Sequence, residues 1–182
     1  MGCMRKKMPV HLKIEEWDLL DKLVEVILKN VEGCVVEIGL GTSTVILNKY
    51  AVQNNKKHYC CDISMTKCKF ARKLLNTIVF EMSSEEFLTK FDDSPIAIAF
   101  LDGSHKFDIV KKEADFLLPR MSKYGVLFLH DTFIPEKRSS ISEVFKLRQL
   151  LENDSSFQVF TFPFTAAQYG LTMVMKRLEC YR

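Results

Sequence analysis

Two hydrophobic rhythms alternate along the chain. Short apolar runs that stop at glycine, acid or other polar residues read as strands: CVVEIG (34–39), HYCCD (58–62), TIVFE (77–81), IAIAFLD (96–102), GVLFLHD (125–131), FQVFTF (157–162) and YGLTMVMK (169–176). The stretches between them carry a helical period. In IEEWDLLDKLVEVILKN, Trp17, Leu20, Val24 and Ile27 share one face. In FDIVKKEADFLL, Phe107, Val110, Ala114 and Leu117 do so, with Lys111, Lys112 and Glu113 placed off that face. Strand and helix alternate five times, which predicts an α/β fold: a doubly wound, mostly parallel seven-stranded sheet covered on both faces. The last two runs are joined only by PFTAAQ, so they are expected to form an antiparallel hairpin at a sheet edge.

Composition narrows the class. At 182 residues, 47% of them hydrophobic and 27% charged, the chain is expected to form a single domain spanning 1–182, with an N-terminal arm and helix over 1–30 and a core over 33–176. No apolar run approaches the roughly 20 residues a bilayer span needs, so no membrane partner is expected. The formal charge of +3 is spread over scattered basic residues, which gives no strong nucleic-acid signal. Cys3, Cys34, Cys60, Cys61, Cys68 and Cys180 have no metal-knuckle spacing. They read as reduced thiols of a cytoplasmic protein.

In an open parallel sheet, ligands bind beyond the carboxyl ends of the strands. The first such end is VVEIGLGTSTVIL, where Glu37 precedes a turn containing Gly39 and Gly41, and Ser43 and Thr44 open a helix. The glycines allow close backbone approach and the helix start offers free N–H groups. A nicotinamide fingerprint would need a third glycine where Thr44 stands. Asp62 ends the second strand twenty-one residues after Gly41, where an acid can accept ribose hydroxyls. Its structural alternative is to cap the helix that follows.

Together, VEIGLGTST, CCDIS, FEMSSEEF, FLDGSHKFD and GVLFLHDT resemble the class I S-adenosylmethionine-dependent methyltransferases, and more narrowly the small O-methyltransferases of catechol type and the sugar O-methyltransferases. The likeness extends over about residues 33–176. It implies a Rossmann-like methyltransferase fold and a set of site residues. Glu37, Gly39, Gly41 and Ser43 would lie along the methionine end of S-adenosylmethionine, with Glu37 reaching its amino group. Asp62 would hold the ribose, Ile63 would lie against the adenine, and Met82 and Ser83 would border the ring. Ser43 stands where the commonest pattern has glycine.

Asp102, Gly103, Ser104 and His105 follow the fourth strand, and Asp131 follows the fifth. Methyl transfer from a sulfonium is an in-line displacement, so the acceptor must be aligned and relieved of its proton. Asp102 and Asp131 are candidate ligands for Mg²⁺, which would lower the pKa of an acceptor hydroxyl. Metal-dependent relatives place another ligand where Thr132 stands. His105 is the alternative, a general base without metal. A purely structural reading also stands, with Asp102 and Gly103 as a turn, His105 as a helix cap and His130 as a core histidine.

Other chemistries lack their signatures. There is no Asp/Asn-Pro-Pro-aromatic stretch of the base amino-methylases, no Pro-Cys of the C5-cytosine enzymes and no Gly-x-Ser-x-Gly of the lipases. The expected activity is O-methylation of a small-molecule or sugar hydroxyl. The alternatives are a cofactor-binding regulatory protein without catalysis and a methyltransferase acting on a macromolecule. Acceptor contacts are expected from residues 8–17, 133–140 and 164–168, or from a second subunit of a homodimer.

Overall fold

The computed structural model describes residues 14–74, 77–133, 142–163 and 170–178. Helix α1 (Ile14–Asn30) precedes β1 (Cys34–Ile38), α2 (Thr42–Gln53), β2 (His58–Asp62), α3 (Met65–Leu74), β3 (Ile78–Glu81), α4 (Ser84–Lys90), β4 (Ile96–Leu101) and α5 (Phe107–Leu117). A 3-10 turn over Leu118–Arg120 then leads into β5 (Met121–His130), α6 (Val144–Glu152), β6 (Phe157–Phe162) and β7 (Leu171–Lys176). The seven strands form one sheet in the order β3-β2-β1-β4-β5-β7-β6. The first five are parallel, while β7 runs antiparallel to both β5 and β6. This is the predicted architecture, with β7 inserted beside β5 so that β6 forms the edge.

Alternation along the central strands explains the two covered faces. Val36, Ile38, Ala99, Leu101, Leu127 and Leu129 point towards α5 and α6, where they meet Val110, Ala114, Leu117, Val144, Leu147 and Leu151. Val35, Ile98, Phe100, Val126 and Phe128 point the other way, towards Leu20, Val24 and Leu28 of α1 and Ile46 and Leu47 of α2. Every residue of β1 and β4 is buried, as expected of central parallel strands covered by helices on both sides.

Two expectations need correction. The fifth strand begins at Met121 rather than Gly125: Ile96 pairs with Met121 and Ile98 already with Val126, so the ladder absorbs extra residues. The polar residues of SKY hid this extension, and Gly125 is needed there because a Cβ would lie 2.6 Å from the Ile96 carbonyl oxygen. The helical period puts Lys111, Lys112 and Glu113 mostly off the buried face, yet Glu113 is buried at 1% exposure beside Val110, Ala114 and Leu117.

Strand order reverses between β1 and β4, since the chain proceeds outward through β2 and β3 and then returns to the other side of β1. In open sheets of this kind the ligand crevice lies at the carboxyl ends of the strands that flank such a switch point. Ile38 pairs with Leu101, and Leu101 pairs with Leu129. The residues that follow these three positions therefore converge.

Candidate active site

The turn after β1 is fixed by its contact with the end of β4. Gly39 adopts φ +93°, and a Cβ there would lie 2.4 Å from the backbone oxygen of Asp102. The Gly39 N–H donates to the Cys61 carbonyl at 2.9 Å, and the Asp102 N–H donates to the Ile38 carbonyl at 2.8 Å. Gly41 then caps α2 and donates its N–H to Thr44 Oγ1 at 3.0 Å.

Beneath this turn lies a buried polar pair. Ser43 Oγ donates to Glu37 Oε1 at 2.6 Å, and Glu37 Oε2 lies 3.4 Å from Nε2 of the equally buried His58. Glu37 and Ser43 are 0% and 1% exposed, so their side chains face each other rather than the crevice. Ser43 thus gives one oxygen of the buried Glu37 carboxylate a donor, while Oε2 makes no hydrogen bond of standard geometry among the described residues.

Asp62 links the first two strand ends. Its Oδ2 accepts from the Leu40 N–H at 2.8 Å and from Lys67 Nζ at 3.2 Å, while Oδ1 accepts from the Ser64 N–H at 2.7 Å. The carboxylate therefore organises the glycine turn as well as the start of α3. With about four lone-pair sites on a carboxylate, three donors leave room for one more. Beside it, Ile63 and Met65 are 80% and 52% exposed. Met82 is half-buried against the core, and Ser83 caps α4 by accepting from the Glu86 N–H at 3.2 Å.

The other side of the crevice gathers ionisable groups. His105 Nε2 lies 2.5 Å from Asp131 Oδ2. His130 Nδ1 lies 3.1 Å from Asp102 Oδ1 and 3.2 Å from Asp131 Oδ1, and its Nε2 lies 3.8 Å from Glu16 Oε2 on α1. Side-chain exposure falls from 36% at His105 through 15–16% at the aspartates to 7% at His130 and 2% at Glu16. The cluster thus runs from the crevice mouth to the helix behind the sheet. Asp131 leaves the strand at φ +55°, a conformation aspartate tolerates better than most residues.

These neighbours set the protonation states. The hydrogen bond to Asp131 raises the His105 pKa above its ordinary value, against the opposing effect of burial. Burial would lower the pKa of His130, but Asp102, Asp131 and Glu16 together hold it well above the usual range. Burial pushes Asp131 upward, and contacts with His105 and His130 outweigh it, so the acid stays ionised.

One structural alternative is settled by these contacts. The α5 cap residue is Lys106, and the Phe107 N–H donates to Glu143 Oε2 at 3.1 Å, so His105 does not cap the helix. His130 is buried with three carboxylates around it. Glu16 escaped the sequence reading. Its signal is its phase, since Glu16 stands four and eight residues before the fully buried Leu20 and Val24.

Asp102, His105 and Asp131 place one donor atom each within 4.8 Å of one another. Mg²⁺ takes a near-octahedral oxygen shell and is usually held by one or two carboxylates with several waters, and the cluster offers two carboxylates. One of the three donors is an imidazole, and the inner oxygens of both aspartates face His130. The Thr132 hydroxyl, at the expected position for a further ligand, is buried and bonded to Thr172 Oγ1 at 2.7 Å.

A doubly wound sheet with a glycine turn after β1, an acid after β2 and a polar cluster beyond β4 and β5 defines a class I S-adenosylmethionine-dependent methyltransferase. Residues 36–132 match the family model described as a methyltransferase domain, and the chain belongs to that family. No curated protein matches in sequence. Among solved structures, the chain is similar to the S-adenosylhomocysteine-bound methyltransferase PaMTH1 of Podospora anserina, at 12% identity and TM-score 0.74, covering 97% of this chain and 85% of that one. It is similar to the O-methyltransferase TomG of Streptomyces achromogenes, in complex with S-adenosylmethionine, at 14% identity and TM-score 0.69, covering 92% and 82%. It also resembles the methyltransferase MycE of the mycinamycin pathway, in complex with Mg, S-adenosylhomocysteine and mycinamycin VI, at 16% identity and TM-score 0.62, covering 91% and 50%. At these identities the likeness establishes the fold. Among the described residues, no helix is long and apolar enough to cross a membrane.

Proposed function

We propose that the protein transfers a methyl group from S-adenosylmethionine to the hydroxyl of a small molecule or sugar, with His105 as general base. The observation that carries this reading is the His105–Asp131 pair at the crevice mouth, 2.5 Å apart. When bound, S-adenosylmethionine supplies a methyl group on a positively charged sulfur. Asp62 has acceptor capacity for a ribose hydroxyl, and the exposed side chain of Ile63 offers apolar surface for the adenine. Gly39 and Gly41 keep the backbone open to the methionine end, while Glu37 and Ser43 support that turn from below. Met82 and Ser83 border the same rim.

On the acceptor side, Asp131 accepts a hydrogen bond from the Nε2–H of His105, which leaves the lone pair on Nδ1. Nδ1 would receive the hydroxyl proton of the acceptor as that oxygen is methylated. Asp131 then stabilises the imidazolium. Asp102 borders the same reaction space. Small-molecule acceptors are favoured by TomG, described as involved in tomaymycin synthesis, and by MycE with its bound mycinamycin VI. The described cysteines Cys34, Cys60, Cys61 and Cys68 are all free and buried, which suits a reducing cytoplasm. Of the expected acceptor segments, residues 8–13, 134–140 and 164–168 lie outside the described residues.

Calorimetry with S-adenosylmethionine and S-adenosylhomocysteine, followed by a panel of phenolic and sugar hydroxyls assayed for S-adenosylhomocysteine release, tests the reading. Binding together with release on a hydroxyl acceptor is expected. Absence of binding to either compound would overturn it.

A further inference from the structure

An arginine side chain withdrawn from water needs partners for its charge and its five N–H donors. Arg148, on α6, keeps only 17% of its side chain exposed, yet its partners among the described residues are few. Its Nε is buried and makes no hydrogen bond of standard geometry. Glu152 Oε1 lies 3.7 Å from that atom, on a side chain that is itself 39% exposed. The guanidinium carbon sits over the Phe133 ring, 5.6 Å from its centre, within the range of a cation–π contact. The charge is therefore held in place by an aromatic face and lacks a close anion.

The platform stands beside the reacting end of the sheet. Phe133 follows Asp131 by two residues, a span of at most about 7 Å. It is wedged against Gly170, where a Cβ would lie 2.7 Å from Phe133 Cβ, and the Thr132 N–H donates to the Gly170 carbonyl at 3.5 Å. The start of α6 is tied to the same place, since the Glu143 N–H donates to the His105 carbonyl at 2.8 Å and Ser142 Oγ donates to the Asp131 carbonyl at 3.3 Å. Long helical side chains lean towards the N-terminus of their helix. The guanidinium thus leans from the middle of α6 towards the end where His105 and Asp131 lie.

We propose that Arg148 and Phe133 form an acid-recognition subsite for the methyl acceptor, so that the substrate is a hydroxyl compound bearing a carboxylate, with an aromatic hydroxy acid as the best fit. This inference rests on the methyl-transfer reading and names its substrate class. A carboxylate takes two parallel bonds from the guanidinium fork and supplies the acceptors that Arg148 lacks within the chain. The ring of an aromatic acid packs on Phe133, which is 43% exposed. Glu152 is the competitor for the fork, and a partly exposed carboxylate loses little by turning to water.

Calorimetry on the full chain, with and without saturating S-adenosylhomocysteine, compares the three hydroxybenzoate isomers with the matching hydroxybenzamides, which lack the charge. At least one acid is expected to bind about tenfold more tightly than its amide. Arg148→Met, which keeps the apolar stem, should abolish that preference and leave S-adenosylhomocysteine affinity unchanged. Glu152→Gln should tighten the acid by about twofold or more and leave the amide unmoved. No acid preference in the wild type, or a preference that survives in Arg148→Met, overturns the assignment. Should Arg148→Met fail to fold, Glu152→Gln decides, and an acid affinity that it does not raise overturns the subsite. Absence of S-adenosylhomocysteine binding by the wild type sinks the functional reading, whereas the acid-against-amide comparison judges Arg148.

Discussion

Glu113 offers the most direct quantitative test of the packing. It lies on the buried face of α5 at 1% exposure, and neither carboxylate oxygen makes a hydrogen bond of standard geometry. Burial raises its pKa from 4.5 to about 7, partly relieved by the nearby Ser84 side chain and reinforced by the charge of Glu85. Because folding raises the pKa of this acid, its proton-linked contribution is fully present below the unfolded value of 4.5 and is lost as pH climbs through about 7. A rise of that size corresponds to about 3 kcal/mol at roughly 1.4 kcal/mol per pH unit. The perturbation is Glu113→Gln, which keeps the shape and removes the titration. Thermal melts of both proteins at pH 5 and pH 8 give the comparison. At pH 5 the folded side chain is neutral but the unfolded one, with a pKa of 4.5, is already mostly ionised, so the difference in Tm combines the amide-for-acid exchange with a minor part of the linkage loss. Between pH 5 and pH 8 about 2.5 kcal/mol remains to be lost, so at pH 8 the variant should gain a further 5 to 10 °C or so, taking about 2–4 °C per kcal/mol for a domain of this size. A gap that stays the same at the two pH values would refute the claim that this carboxyl is held neutral by burial.

The cofactor side is tested by Asp62→Ala, which should weaken S-adenosylmethionine and S-adenosylhomocysteine by about 1.5 to 3 kcal/mol in calorimetry; unchanged affinity would remove Asp62 from the site. Ser43→Ala strands the buried Glu37 carboxylate and should cost about 1 to 3 kcal/mol in urea unfolding, with a neutral result showing that Glu37 is satisfied some other way. His105→Ala should lower turnover on a hydroxyl acceptor by about 10²-fold or more. Since Asp131 raises the His105 pKa, the wild-type rate should rise with pH through a value above 6.5, and Asp131→Asn should move that limb to lower pH. Gly39→Ala should prevent soluble expression of folded protein, because its Cβ meets backbone at 2.4 Å; a well-folded variant would contradict the packing of the turn.

The strands were legible because each is a compact apolar run bounded by residues that stop it, and their parallel order follows from the helices between them. The start of β5 was not legible, because Ser122, Lys123 and Tyr124 lie beside the ladder irregularity and stay partly or fully exposed. Among the candidate site residues, Asp62, Asp102, His105 and Asp131 could be chosen because a strand end announces where its next side chain lies. The direction of each side chain was beyond reach. Nothing in VVEIGLGTS reveals that Ser43 turns back onto Glu37, or that His58 from the neighbouring strand completes that buried group. Glu16 shows the limit most plainly, since an acid in the first turn of a helix reads as favourable to the helix dipole. Only its phase with Leu20 and Val24 marks it as inward-facing.

The contact of Gly39 with the Asp102 backbone has a practical consequence for engineering. No side chain separates the two turns at this seam, and the backbone hydrogen bonds at Gly39 and Asp102 tie β1 to its neighbours on either side. The strand ends proposed to seat the methyl donor and to accept the proton are therefore joined backbone to backbone at this seam. Attempts to alter acceptor preference should leave this seam untouched and change exposed residues outside it, such as Phe133, which is 43% exposed. Variants built this way should keep the donor affinity of the parent even when their acceptor preference is new.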